Sequence, residues 1–236
     1  MMMNDNNAVL QLQQVTKRYR RTVALDDVSL VVPRGSVTVL LGANGAGKST
    51  LLHLLGTLDA PDTGEIHFDG RRIDSLPTSS RDLLRNQYFG MIFQFYHLLP
   101  ELTALENVMI PCMIADGAFR YWMNRRDYRE RAMHLLELVG LSHRLKHKPR
   151  ELSGGEMQRT AIARALISEP AVLLADEPTG NLDEQSSLEV MSIFTDLVKS
   201  AKCSLLMVTH SKEMATFMQR SVLLHNGQIK ELDEKV

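Results

Sequence analysis

The sequence contains little cysteine and no long apolar run. Its two cysteines, Cys112 and Cys203, lie far apart and form no CxxC pair, which favours two buried thiols in a reducing compartment. No window approaches the ~18 consecutive apolar residues of a transmembrane helix, so we expect no membrane-spanning segment. The start, MMMNDNNAVLQLQ, has no basic stretch followed by an apolar one, so we also expect no secretory signal.

A surplus of basic charge is missing as well. The chain has 27 Lys and Arg residues against 28 Asp and Glu residues, for a net charge of −1. This balance argues against nucleic-acid binding, which usually needs a basic surface. The 236 residues are 44% hydrophobic and 23% charged, as in an ordinary soluble domain. Any role at a membrane is therefore expected to depend on contact through partners.

The pattern of apolar residues predicts an α/β domain. Buried strands are predicted at 36–42, 171–177 and 204–210, and amphipathic helical stretches lie between them. Such alternation indicates a parallel core sheet. Further predictions are antiparallel strands at 9–15 and 23–32, hairpins at Asp69-Gly70 and Asn226-Gly227, a helical lobe inserted at about 95–168, one domain over 8–236 and a disordered stretch at 1–7.

A glycine-rich loop follows the first buried strand and precedes a helix. Its sequence, GANGAGKS, matches G-x-x-x-x-G-K-[ST] in full. Glycines let backbone N–H groups curl around phosphate oxygens, and the helix N-terminus adds partial positive charge. Lys48 is predicted to reach the β- and γ-phosphates, and Ser49 to bind Mg²⁺. The predicted cradle consists of Gly42, Ala43, Asn44, Gly45, Ala46, Gly47, Lys48 and Ser49.

Polar residues also end the other predicted strands. Asp176 and Glu177 close "VLLADE", at the sheet edge where open α/β sheets bind ligands. Asp176 is suited to hold Mg²⁺ through water, and Glu177 to act as general base; the alternative is an acidic cap for the next helix. His210 ends the third strand and Gln94 follows "GMIF". Each has a structural interpretation when taken alone, but parallel topology favours a role for His210 near the γ-phosphate.

A second anion site is predicted at "LSGGEMQR", residues 152–159. Ser153, Gly154 and Gly155 precede a helix and offer a hydroxyl, unhindered N–H groups and a helix dipole. A plain serine N-cap is the structural alternative. One γ-phosphate rarely needs two sites on one chain, so we expect each of two chains to offer this site to the nucleotide of the other.

The motifs together resemble the ATP-binding-cassette (ABC) ATPases over nearly the whole length. LSGGxxxR is the signature of that family and matches Leu152 to Arg159. The resemblance implies a P-loop NTPase fold with a RecA-like core, an antiparallel β-subdomain and a helical lobe. It also implies a homodimer that sandwiches two ATP molecules, with Mg²⁺.

The resemblance implies further residue roles. Tyr19 falls where the family stacks an aromatic side chain on adenine, and Thr50 adds a phosphate contact. Gln94 would contact Mg²⁺ and the helical lobe, and Asp183 would lie at the dimer interface. His210 would be the switch histidine. The expected catalytic residues are Glu177, His210, Lys48 and Gln94.

Two stretches, "LADEPTGNLD" and "FQFYHLLPELTALENVMIP", resemble the subfamily of small bacterial cassettes that includes the LolD, MacB and FtsE groups, and most closely the LolD group. The implied partners are integral membrane permeases of LolC/LolE or MacB/FtsX type. The implied location is the cytoplasmic face of the inner membrane. Lipoprotein release is the first functional prediction; MacB-like export and FtsE-like signalling are the alternatives.

Residues 95–102, "FYHLLPEL", are rich in aromatic side chains and leucine. They could receive a short helix of a membrane partner or belong to the core of the helical lobe. The basic run "HRLKHKPR" at 143–150 is expected to be a solvated loop rather than a lipid contact.

Overall fold

The computed structural model describes residues 7–201, 203–211 and 220–231. The strands are β1 (Ala8–Tyr19), β2 (Thr22–Pro33), β3 (Val37–Leu41), β4 (Thr63–Phe68), β5 (Arg71–Arg72), β6 (Phe89–Ile92), β7 (Val172–Asp176), β8 (Ser204–Thr209), β9 (Arg220–His225) and β10 (Gln228–Glu231). The helices are α1 (Lys48–Leu55), α2 (Thr78–Tyr88), α3 (Ala104–Leu138), α4 (Gly154–Leu166) and α5 (Glu184–Ala201). Of the predicted disordered stretch, residues 1–6 lie outside the described residues.

The central sheet has the strand order β10-β9-β3-β8-β7-β6. Its pairs are parallel from β9 to β6, and only the β9–β10 hairpin at Asn226-Gly227 is antiparallel. Every residue of β3 is buried, as expected for a strand covered on both faces. The carboxyl ends of β3, β6, β7 and β8 therefore meet at one edge, where this class of sheet binds ligands.

Helices cover both faces of this sheet. Successive residues of a strand point to opposite faces, and in β7 Leu173 and Ala175 join a buried cluster with α3, α4 and α5. Val172 and Leu174 join a second cluster with α1 and the antiparallel strands. The predicted α/β class is confirmed. Because α3 and α4 share a cluster with the sheet, the helical lobe and the core pack as one hydrophobic unit.

The second sheet is antiparallel, with the order β2-β1-β4-β5. Strands β1 and β2 pair over most of their length, which confirms the predicted pair at 9–15 and 23–32. The hairpin at Asp69-Gly70 joins β4 to β5, also as predicted. This sheet places the end of β1, with Tyr19, beside the loop that follows α1.

The strand that the sequence indicated before Gln94 is β6, whereas the break in α3 was not predicted. Strand β6 pairs in parallel with β7, although its four residues are too short to give a periodic signal. A Cβ on Gly90 would lie 2.5 Å from the carbonyl oxygen of Ala165, so α4 packs directly on this strand. Helix α3 is broken at Gly117, whose φ of 67° and ψ of 170° are not helical.

Candidate functional site

The phosphate loop lies between β3 and α1, and two of its glycines have a positive φ. Gly45 has a φ of 81° and Gly47 a φ of 103°, in the left-handed region that a Cβ disfavours. A Cβ on Gly47 would also lie only 2.4 Å from the carbonyl oxygen of Ala24. The loop is thus packed against β2, and Gly47 caps α1, directing the N-terminus of this helix at the loop.

The ammonium group of Lys48 is buried at the centre of this loop. Its Nζ donates hydrogen bonds to the carbonyl oxygens of Gly42 at 2.9 Å and Ala43 at 3.2 Å. It also forms an ion pair with Glu177 Oε1 at 3.3 Å. Both charged side chains are almost fully withdrawn from water, so each is compensated by the other. The fold thereby joins two of the predicted site residues.

Glu177 lies at the point where β7 and β8 end. Its backbone has a φ of 45°, and its amide donates to the carbonyl oxygen of Val208 at 2.9 Å. Carboxylate Oε2 accepts a hydrogen bond from Thr209 Oγ1 at 3.1 Å and lies 3.0 Å from His210 Nδ1. One oxygen is therefore oriented by β8, and the other faces Lys48. A carboxylate fixed in this way is suited to orient and deprotonate a water molecule.

Asp176, the residue before it, is held differently. Burial raises the pKa of the Asp176 carboxyl above its usual value, and a hydrogen bond from Ser49 opposes part of this rise. Among the described residues, Asp176 Oδ1 is buried without any hydrogen-bond partner. An orphaned buried oxygen is costly unless a ligand or water completes it.

The loops after β6 and β7 are joined by a pair of amide side chains. Gln94 Nε2 donates to Asn181 Oδ1 at 3.3 Å, and Asn181 Nδ2 donates to the carbonyl oxygen of Gln94 at 3.0 Å. Gln94 is thus brought to the same sheet edge as Asp176 and Glu177. Its predicted contact with Mg²⁺ stays a prediction.

The cap of α5 is Asp183 rather than Asp176 or Glu177. Asp183 Oδ1 accepts from the amide of Ser186 at 2.9 Å, and Oδ2 accepts from the hydroxyl of Ser186 at 2.8 Å. The two carboxylates at the end of β7 are therefore not used as a helix cap. Asp183 therefore caps α5 within its own chain, and its predicted place at a dimer interface stays a prediction.

Ser153 begins α4 as part of a capping box. Its Oγ accepts from the amide of Glu156 at 3.2 Å, and Glu156 Oε2 accepts from the amide of Ser153 at 2.8 Å. The structural alternative is thus confirmed, yet Ser153 is exposed. No hydrogen bond or ion pair between described residues joins 153–155 to the phosphate loop. A site that binds the nucleotide of another subunit has to be exposed and unbonded to the phosphate loop of its own chain.

Tyr19 is half-exposed at the end of β1. Its hydroxyl donates to Asp59 Oδ2 at 2.7 Å, and Lys17 Nζ lies 5.2 Å from the ring centroid. Lys17 also donates to Asp59 Oδ1 at 2.9 Å. This triad fixes the ring beside the phosphate-loop helix; its stacking on adenine stays a prediction.

Sequence reasoning missed Thr209, Lys17 and Asp59. Thr209 orients Glu177, and as the polar last residue of a buried strand it carried a usable signal. Lys17 and Asp59 lie 42 residues apart, and no local pattern connects them.

The described residues contain no helix with the length and apolar character needed to cross a bilayer.

A family model described as ABC transporter matches residues 25–180. The lipoprotein-releasing system ATP-binding protein LolD of Xanthomonas campestris pv. campestris (strain 8004) is 45% identical over 229 residues, which cover 95% of this chain and 93% of that protein. The LolD protein of Coxiella burnetii is 45% identical over 235 residues, with coverage of 98% and 99%.

Solved structures agree with this assignment. The ATP-binding cassette MJ0796, a dimer in a post-hydrolysis state with ADP and Pi, superposes with a TM-score of 0.86 at 34% identity and covers 96% of this chain and 100% of its own. The cbiO1 protein of Clostridium perfringens, part of the cbiONQ transporter complex, has a TM-score of 0.84 at 27% identity, with coverage of 95% and 87%. This chain belongs to the ABC transporter family and is an ATP-binding, ATP-hydrolysing subunit of that family.

Proposed function

We propose that this chain hydrolyses ATP to energise separate permeases that release lipoproteins from the bacterial inner membrane. The observation that carries the proposal is its similarity to the LolD protein of Coxiella burnetii, at 45% identity over 98% of the chain. The chain acts at the cytoplasmic face of the membrane, as a peripheral subunit bound to permeases of the LolC and LolE kind.

Binding of ATP exchanges the partners of Lys48. Its ammonium is held by two neutral carbonyls and by Glu177 Oε1. Charged phosphate oxygens are stronger acceptors than carbonyls, so Lys48 turns to the β- and γ-phosphates and frees Oε1. The remaining cradle comprises Gly42, Ala43, Asn44, Gly45, Ala46, Gly47, Ser49 and Thr50.

The residues at the end of β7 fit Mg²⁺. Asp176 Oδ1 is buried without a partner among the described residues, and Ser49 contacts the same carboxyl. Ser49, Gln94 and a water held by Asp176 supply the oxygen ligands that Mg²⁺ prefers. When bound, the ion supplies positive charge at the β- and γ-phosphates.

Glu177 acts as general base on the attacking water. Thr209 and His210 hold Oε2, so the freed Oε1 is the oxygen that accepts the proton. The His210 side chain is more than half exposed, which lets it contact the γ-phosphate while it keeps its bond to Glu177. Lys48 and His210 both contact the γ-phosphate in this arrangement and both contact Glu177. Loss of the γ-phosphate therefore changes the surroundings of Glu177 on both sides.

Two chains close on two nucleotides. The exposed Ser153, with Gly154 and Gly155, contacts the γ-phosphate held by the partner subunit, while Asp183 lies at the interface and Tyr19 stacks on adenine. ATP drives closure only through its higher affinity for the closed than for the open dimer. Hydrolysis removes that difference, and the dimer reopens.

Asp176 gives a test of the magnesium site that also has a stability readout. Because the pKa of its carboxyl is raised by burial, the ionised form lowers the free energy of unfolding as pH rises past the ordinary carboxyl range. Asp176→Asn should therefore raise the Tm of the nucleotide-free protein at pH 7 by a few degrees, while Mg²⁺-dependent hydrolysis falls at least ~100-fold. Calorimetry and a phosphate-release assay measure the two effects.

Asp74→Asn is the matched control. Burial also opposes ionisation of Asp74, but hydrogen bonds from Arg72 and the amide of Ile66 outweigh it and lower the pKa of this carboxyl. The control should lower the Tm at pH 7 and leave hydrolysis unchanged. Equal effects of the two variants on hydrolysis would remove Asp176 from the metal site.

The permease is received by the docking segment, residues 95–102. Phe95 is 67% and Leu99 48% exposed, so these apolar side chains do not belong to the core of the lobe. The backbone beneath them is fixed, because Asn107 bonds to Leu99 in both directions and Arg164 donates to the carbonyl of Tyr96 at 2.8 Å. A preformed apolar surface of this kind suits a short amphipathic helix.

Co-purification tests this function. Tagged Glu177→Gln protein with ATP should recover two different permeases from detergent-solubilised membranes of the host. Recovery should be lost in a Phe95→Ser, Leu99→Ser variant and kept in Leu188→Ser, which removes an exposed leucine of α5. Depletion of the chain should leave lipoproteins in the inner membrane.

The partner recovered decides between the alternatives. A single permease of MacB kind would replace lipoprotein release by export. A partner of the FtsX kind would replace it by signalling. An unchanged distribution of lipoproteins after depletion would contradict the proposal directly.

A further inference from the structure

Three of the most exposed large apolar side chains among the described residues lie in one short stretch of α3. Phe119 is 77% exposed, Trp122 75% and Met123 63%. They follow the break at Gly117, on a stretch that we call the α3 tip (residues 117–126). Neither the phosphate site nor the docking segment includes this tip.

The tip is held in place from its inner side. The ring of Tyr121 stacks on that of Tyr128, with centroids 6.0 Å apart and planes 13° from parallel. Both tyrosines pack on the core cluster, and the hydroxyl of Tyr128 donates to Asp116. Tyr121 is therefore directed inward while Phe119 and Trp122 stay in water, and the apolar surface is preformed.

Positive charge surrounds this apolar surface. Arg120, Arg125 and Arg126 lie within the tip, and residues 117–126 include no Asp or Glu. All three arginines are exposed. Of the adjoining acids, Asp116 is bound to Tyr128, and Asp127 directly follows the tip. Glu130 pairs with Arg126 at 3.0 Å, but an exposed pair of this kind is weak, so a lipid phosphate can replace it. Tryptophan and phenylalanine flanked by arginine are typical of segments that lie at the surface of an anionic bilayer.

The size of the surface favours lipid over protein. An aromatic side chain offers roughly 150–250 Å², so these three side chains expose on the order of 400–500 Å². A specific protein interface needs about 800 Å² on each partner. A protruding apolar tip of this area is small for a protein partner but sufficient to enter the boundary between headgroups and acyl chains.

We propose that the α3 tip inserts into the surface of an anionic lipid bilayer, with Phe119, Trp122 and Met123 among the upper acyl chains and the three arginines at the phosphates. The chain then contacts the membrane itself, in addition to its contact through permeases. The first half of α3, about 20 Å long, joins the tip to the docking segment. The inference does not rest on the proposed cargo.

Intrinsic fluorescence tests this directly, because the chain has 1 tryptophan. The purified full chain is mixed with vesicles of phosphatidylethanolamine and phosphatidylglycerol, without any permease. The Trp122 emission should shift to shorter wavelength and become protected from an aqueous quencher. Vesicles of phosphatidylcholine should give a much smaller shift, and high salt should weaken binding.

Co-sedimentation with the same vesicles measures the contribution of each part. Phe119→Ser, Trp122→Ser, Met123→Ser should bind at least about tenfold more weakly. Replacing the three arginines by glutamine should weaken binding to the vesicles about fivefold for each charge removed. Leu138→Ser, Leu188→Ser, which removes exposed leucines elsewhere, should bind like the wild type. Basal ATP hydrolysis should be unchanged in all three variants.

Three outcomes would overturn the proposal. One is a Trp122 emission that is the same with and without anionic vesicles. Another is an emission that shifts with protein concentration alone, which would assign the tip to contact between two copies of the chain. The third is loss of permease co-purification in the tip variant with no vesicle binding by the wild type, which would assign the tip to a protein partner.

Discussion

Replacing Glu177 by glutamine is expected to slow ATP hydrolysis by about three orders of magnitude while leaving ATP bound. Glutamine keeps the shape of the side chain and can still accept from Thr209 Oγ1, but it cannot take a proton from water. A positioned general base contributes roughly 10²- to 10⁴-fold. Because hydrolysis no longer reopens the closed state, ATP should trap a dimer, which size-exclusion chromatography would detect. Single-turnover hydrolysis would measure the loss of rate.

The same variant should also change the stability of the nucleotide-free protein, because it removes the ion pair between Lys48 and Glu177. Glu177→Gln removes the negative partner of a buried Lys48, and an uncompensated buried charge is destabilising. The Tm of the nucleotide-free protein should fall, and ATP should raise it by more than in the wild type, because the phosphates replace the lost charge.

Glu130→Gln is the control for this experiment. Glu130 pairs with Arg126 at 3.0 Å on the surface of α3, where an ion pair that is exposed on both sides contributes little. This variant should keep both turnover and Tm near those of the wild type. Near-normal turnover of Glu177→Gln would remove Glu177 as the base.

The part of this site that the sequence predicts is the part carried by short-range constraints. The phosphate loop has a fixed spacing because glycine is needed where φ is positive and a Cβ would strike Ala24. Asp176 and Glu177 could be placed because the carboxyl ends of parallel strands meet at one edge. In both cases the local pattern and the topology lead to the same location.

The rest depends on contacts between distant residues. The ion pair of Lys48 with Glu177 and the triad of Lys17, Tyr19 and Asp59 join residues from separate elements. Strand β6 is stabilised by its place between β7 and α4 rather than by its own four residues. No periodicity in the chain encodes such pairings, since tertiary packing decides them.

Replacing Ser153 by arginine is expected to reduce hydrolysis at least about 100-fold while ATP binding to the monomer stays unchanged. Ser153 is exposed, and no hydrogen bond or ion pair between described residues joins it to the phosphate loop of its own chain. The arginine is therefore accommodated in the monomer but blocks the approach of the partner subunit's nucleotide. Binding of a fluorescent ATP analogue and steady-state hydrolysis separate the two effects.

Thr103→Arg separates this trans role from simple helix capping. Thr103 begins α3 in the same kind of capping box, with Glu106 as the reciprocal partner, so either substitution should cost about 0.5–2 kcal/mol of stability. Only Ser153→Arg should stop hydrolysis, because only α4 begins at the proposed dimer contact. Equal loss of activity in both variants would reduce Ser153 to a cap, and loss of ATP binding by the Ser153→Arg monomer would place its role within one chain.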